Sequence, residues 1–124
     1  MKSLLFLAMM PLLNPQSLLP GCQAKLETQW QGDLLTIRGH CLNPSKLTSS
    51  LRYELFTDKR GESGTSRNTQ GGEVILAGQL DRVLSQTTIN VAPADYYRVR
   101  LRLFNQQGDI VAADSLIHPG TSRP

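Results

Sequence analysis

The sequence predicts an all-β domain of antiparallel strands, on three observations. Short runs alternate apolar and polar residues with period two. Gly, Pro, Asn or Asp clusters bound each run. No stretch reads as a convincing helix. The length, 124 residues, suits one domain.

The first 21 residues are set apart from the fold. Met1-Lys2 gives a positive start, Ser3 to Leu13 is almost wholly apolar, and Pro11, Pro15 and Pro20 follow. Charge, a short apolar core and helix breakers form the layout of a secretory signal peptide. The apolar run falls short of the roughly 20 residues that span a bilayer. A core helix is the competing reading, but Pro11, Asn14 and Pro15 break it. The expected organisation is therefore a signal peptide over 1–21, a domain over 22–118 and a flexible tail over 119–124. The net charge of +3 falls to +2 without Lys2. That bias is too mild for a nucleic-acid binder.

The strand runs come in order. Cys22 to Trp30 places Ala24, Leu26 and Trp30 on one face and Lys25, Glu27 and Gln29 on the other. Gln31-Gly32-Asp33 turns the chain into Leu34–Leu42, so these two runs should form a hairpin. Leu51 to Thr57 alternates Leu51, Tyr53 and Leu55 against Arg52 and Glu54. The polar segment Asp58 to Gly72 reads as a long loop, unusual in a compact domain, that hints at function or at an edge hairpin. Its Ser63-Gly64-Thr65-Ser66 and Gln70-Gly71-Gly72 are either flexible filler or glycines that set a specific backbone path at positive φ. Glu73–Leu80 and Val83–Val91 follow, the latter with Val83, Ile89 and Val91 on one face. Tyr96 to Asn105 is the clearest run. Tyr97, Val99, Leu101 and Leu103 fall on one face, while Tyr96, Arg98, Arg100, Arg102 and Phe104 fall on the other. Gln106-Gln107-Gly108-Asp109 makes a hairpin loop into Ile110–Ile117, and the chain is expected to fray from His118. About seven short strands in about one hundred residues suggest an immunoglobulin-like β-sandwich, with a barrel of similar composition as the alternative.

Cys22 and Cys41 are the two cysteines. In an exported chain an even count suggests a disulfide. Leu19-Pro20-Gly21-Cys22 also resembles a lipoprotein cleavage box, which would tie Cys22 to a membrane, and two free thiols are the third reading. A bridge between directly opposed cysteines would set Trp30 against Asp33 across a Gln31-Gly32 loop. A one-residue slip would move Cys41 to the other face.

Candidate chemistry is sparse. His40 and His118 lack metal-ligand spacing with a second ligand. His40 and Cys41 are adjacent on a strand and so point to opposite faces, unable to share a proton directly. Gly61-Glu62-Ser63-Gly64 lacks the lysine and helix of a phosphate loop. No catalytic residue, metal, cofactor or small-molecule substrate is expected, and the reading is not an enzyme. The Arg98, Arg100, Arg102 stripe, flanked by Tyr96 and Phe104, is either a solvated strand face that discourages association or a recognition surface for an acidic or amide-rich partner.

Ser63-Gly64-Thr65-Ser66, Gln70-Gly71-Gly72, Leu84-Ser85, Ile89-Asn90-Val91 and Tyr97-Arg98-Val99 together resemble the CsgH-type proteins of the curli system and their CsgC-type relatives. The likeness runs from about Cys22 to Ile117. It implies an immunoglobulin-like sandwich in the periplasm that keeps an amyloid-forming curli subunit from polymerising too early. Some CsgC-type members carry a Cys-x-Cys pair; this sequence does not, which weakens a redox role. An accessory or structural component of the fibre is the second reading and a thiol oxidoreductase the third.

Overall fold

The computed structural model describes residues 22–44, 46–62 and 64–120. The expected signal peptide over 1–21 and the tail from 121 lie outside them, as does Ser63 of the serine/glycine segment.

Seven strands form two sheets: β1 (Gln23–Gln31), β2 (Leu34–Asn43), β3 (Ser49–Gly61), β4 (Gly64–Leu76), β5 (Leu80–Asn90), β6 (Tyr96–Phe104) and β7 (Ile110–His118). The three-stranded sheet has the order β1-β2-β5 and the four-stranded sheet β4-β3-β6-β7, with every pairing antiparallel. This is the predicted sandwich. Its fourth strand joins the third, not the first-second-fifth sheet that it joins in an antibody constant domain.

The core lies where alternation puts it. Leu35 and Ile37 of β2 and Leu55 of β3 meet Tyr97, Val99 and Leu101 of β6 in one cluster. Cys22, Cys41, Leu51, Val74, Leu76 and Leu103 make a second, with Ala24 packed against both. A fully buried side chain of this kind contributes roughly 1.5–3 kcal/mol. Gly39 of β2 underlies Leu101: a Cβ there would lie 3.2 Å from Leu101 Cδ1. The β2 backbone thus approaches the facing sheet closely at this point.

Four expectations change. The β1–β2 hairpin turns at Gly32-Asp33, with Gly32 at φ +60, the glycine position of a type II′ turn. Cys41 consequently faces Ala24, and Trp30 faces Leu35, not Asp33. The register is two residues away from the one that a directly opposed disulfide demands. Cys22 and Cys41 are free thiols, both buried. Second, of the readings of Asp58 to Gly72 the edge hairpin holds and the long loop does not. β3 runs on to Gly61 and β4 starts at Gly64, forming one unbroken ladder from Ser49↔Leu76 to Gly61↔Gly64. Third, Val83 is exposed. The β2–β5 register shifts between Gly39 and His40, leaving Leu84 as the extra residue packed toward the core and turning Val83 outward. Fourth, His118 closes β7, its ring stacked on Tyr97 with centroids 5.1 Å apart. Trp30 lies on its predicted face but is 51% exposed, at the hairpin end of the edge strand β1.

Candidate functional site

The outer face of the four-stranded sheet concentrates the charge. The register places Arg98, Arg100 and Arg102 of β6 opposite Asp58, Phe56 and Glu54 of β3, with Tyr96 opposite Arg60 and Phe104 opposite Arg52. On β4, Arg67 pairs with Asp58 and Glu73 with Arg52. Directly paired residues share a face. The face therefore carries Arg52, Arg60, Arg67, Arg98, Arg100 and Arg102 against Glu54, Asp58 and Glu73.

These side chains form one layer. The Arg52 guanidinium lies 4.3 Å from the Phe104 ring centroid, and Arg102 lies 5.6 Å from the same ring. Arg98 and Arg100 flank the Phe56 ring at 5.8 and 5.7 Å, and Arg60 covers Tyr96 at 4.7 Å. Each such contact is worth about 0.5–1 kcal/mol at a half-exposed site. The aliphatic stems cover the rings while the charged heads reach water. Arg102 donates to Glu54. Asp58 is buried beneath the layer, with Oδ2 taking a hydrogen bond from Arg60 at 3.2 Å and Oδ1 lying 3.7 Å from Arg67 Nε. The buried Nε groups of Arg98 and Arg100 donate to no acceptor among the described residues.

All five predicted contact residues, Arg98, Arg100, Arg102, Tyr96 and Phe104, fall on this face. Arg102 is neutralised by Glu54, and Phe104 is buried under Arg52 and Arg102 instead of standing free. Phe56, Asp58, Arg60 and Arg67 join the face beyond the five expected residues. Their signal is the alternation Arg52, Glu54, Phe56, Asp58, Arg60, which continues past the expected strand end at Thr57.

The opposite outer face is balanced. His40 of β2 sits between Glu27 of β1 (Nε2···Oε1 2.9 Å) and Asp81 of β5 (Nδ1···Oδ1 3.1 Å), so one ring ties three strands. Arg38 reaches Gln86 at 2.9 Å on the same face. Burial lowers the His40 pKa, but the hydrogen bonds to Asp81 and Glu27 and the charges behind them outweigh it, leaving it above the ordinary value. A raised folded-state pKa stabilises fully below the unfolded value near 6.5 and is lost as pH rises through the folded one. The carboxylates are half-exposed, so the effect is about 1 kcal/mol or less. Thermal melts of the protein and of His40→Gln from about pH 5 to pH 8 should show the difference in Tm narrowing as pH rises. Parallel curves would remove the His40 bridge from the stability of the sheet.

The thiols offer little chemistry. Burial first, then the adjacent Cys22 thiol, push Cys41 up to about 12, so Cys41 supplies no thiolate near neutral pH. Cys22 is only 8% exposed and packs in the core, a position at odds with a lipid attached to its sulfur. Cys41 points inward and His40 outward, so they form no nucleophile pair. Among the described residues no group of three His, Cys, Asp or Glu side chains is placed to hold a metal ion.

No family model matches the chain, and no curated protein sequence does. Solved structures do. The E. coli curli protein CsgC superposes with a TM-score of 0.66 at 20% identity, over 77% of this chain and 97% of CsgC. CsgH of R. palustris superposes with a TM-score of 0.60 at 22% identity, over 77% of this chain and 90% of CsgH. The chain shares its fold with CsgC and CsgH. The likeness predicted from the sequence thus holds for the fold, over nearly the full length of both proteins. The same sandwich also matches 14% of a Bacteroides uniformis β-glucuronidase (TM-score 0.57, 16% identity, 79% of this chain), where it is one part of a larger enzyme. A sandwich of this kind serves several activities, so function rests on the surface it carries.

Proposed function

We propose that this protein is a periplasmic chaperone-like factor of the curli system that delays polymerisation of the amyloid-forming curli subunit. The observation that carries the reading is the arginine–aromatic layer on a CsgC-like sandwich. Six arginines stand over three carboxylates on one face, and two of them keep buried donors without an acceptor among the described residues. Arg and aromatic side chains are favoured at protein interfaces, and unspent donors favour a partner rich in carboxylate or amide oxygens. Amyloid grows by adding strands to an open end. A rigid β-domain that binds such an end through this face blocks the next addition without any catalytic step.

The test is a thioflavin time course of a curli subunit with this protein at substoichiometric ratio. A lengthened lag is expected; an unchanged lag sinks the proposal. A fibre component, the second reading, would instead accumulate in the detergent-insoluble extracellular fraction, where this protein is expected to be absent.

A further inference from the structure

Three of the four sheet edges carry a device that discourages strand addition. β1 and β7 meet along one side of the sandwich, where Asp114 Oδ2 accepts a hydrogen bond from the Leu26 N–H at 2.8 Å. β7 is also bulged where Leu103 pairs with Ala112 and Phe104 with Ile110. β5 is bulged at Leu84 and carries Asp81 and Arg82. Bulges and charges of this kind interrupt an incoming ladder.

β4 differs. It pairs with β3 alone, through thirteen successive residues without a register shift. Its second half is partly covered by β5: the Ser85 hydroxyl contacts the Gln70 side chain, and Arg82 donates to the Ile75 carbonyl at 3.5 Å. Its first half, Gly64–Thr69, is exposed at every residue, so this half of the strand presents both faces to solvent. This half contains no proline and no acid. Its one charge, Arg67, is turned across the ribbon toward Asp58 and is 70% exposed. A flat, unbulged edge with unpaired backbone groups is a template for one more strand.

We infer that the Gly64–Thr69 edge is a strand-addition site, and that its occupant is an extended segment of another protein alternating acidic with amide or hydroxyl side chains. The chemistry follows from the register. On the outer face an added strand falls into the rows of Thr65, Arg67 and Thr69, beside the net positive arginine layer. On the inner face it falls into the rows of Ser66, Asn68 and Gln70, which favour amide and hydroxyl partners. Opposed charges and amide ladders are the favourable cross-strand pairs. The site deepens the proposed client-blocking role and rests on it for the partner's identity, but strand addition is measured without that client.

The probe is a capped peptide of about seven residues alternating Glu with Gln, titrated into the isotope-labelled full chain and followed by amide chemical shift and hydrogen exchange. Shifts and new protection at 64–70 are expected, with a Lys/Gln peptide binding at least about tenfold more weakly. Adjacent residues of an antiparallel strand point their N–H groups to opposite sides. Of Asn68→Pro and Thr69→Pro, therefore, one removes an outward donor and should lose peptide binding, while the other removes a ladder bond and should lower Tm. Should both prolines unfold the ribbon, Thr65→Glu, an exposed change on the same outer row opposite Arg60, should weaken the Glu/Gln peptide relative to the Lys/Gln one.

Shifts confined to the Arg98, Arg100 and Arg102 rows, or no binding at all, overturn the inference. So does protection of the edge without peptide in a dimer, which would assign it to a second copy of this chain. In the thioflavin assay, a proline variant that lost the peptide but delays fibres like the parent leaves the arginine face standing and removes the edge from the mechanism. Peptide binding at β4 with no delay of fibres by the parent removes the client-blocking role and leaves the strand-addition site.

Discussion

Replacing Arg98, Arg100 and Arg102 together with serine is expected to return the thioflavin lag of the curli subunit to its value without this protein. The substitution leaves Arg52, Arg60 and Arg67 against Glu54, Asp58 and Glu73, so a face that is net positive becomes neutral. It also strips both guanidinium covers from Phe56 and one from Phe104. The three arginines are unequal. Arg102 is already paired with Glu54, so Arg102→Ser alone should shorten the delay least. Arg98 and Arg100, whose buried Nε groups have no acceptor among the described residues, should carry most of it. Lysine at all three positions keeps the charge but loses the planar stacking and the forked donor set, and is expected to restore only part of the delay. Raising salt toward 1 M shortens the Debye length from about 8 to about 3 Å and should weaken the parent toward the serine variant. Full inhibition by the serine variant would remove the stripe from the mechanism while leaving the role of the protein intact.

Leu101→Ala is expected to cost about 3–5 kcal/mol, near the top of the range for a buried leucine. Leu101 is fully buried between Leu55 on its own sheet and the Gly39 backbone on the other. Gly39 has no side chain to swing into the vacated space, so the cavity stays open. A domain of this size holds about 5–15 kcal/mol in all, and each kcal/mol moves Tm by roughly 4–8 °C. The variant should melt on the order of 15 °C or more below the parent in a calorimetric scan. Leu116→Ala, at a half-buried position on the margin of the same cluster, should cost clearly less. Equal losses would mean that the sheets repack over Gly39.

Most of the fold is legible in the chain because a strand buried on one face must alternate. Tyr97, Val99, Leu101 and Leu103 show this without ambiguity, and the structure buries all four. The pattern fails where burial stops. Gly64–Thr69 is exposed on both faces, so hydrophobicity does not distinguish it from a loop. Its membership of the sheet comes from pairing with the second half of β3. The candidate face was half visible for the same reason: the β6 arginines stand out against a buried partner face, while Asp58, Arg60 and Arg67 lie in the segment that no apolar alternation marks. Val83 faces outward, against the alternation, because one bulge residue, Leu84, inverts the parity of everything before it.

A count of about seven strands, the inward faces of the core strands and the arginine stripe can be read from the chain alone, because a strand buried on one face alternates with period two. The tertiary structure decided the hairpin register, the sheet that β4 joins and the edges that are sealed. A shift of two residues preserves every inward face, so alternation cannot tell a Cys41 opposite Cys22 from one opposite Ala24. The Gly32 turn and the packing of the second sheet select between them. The sealing of edges depends on contacts such as Asp114 to Leu26, which bring together residues far apart in the chain and exist only once the two sheets have closed.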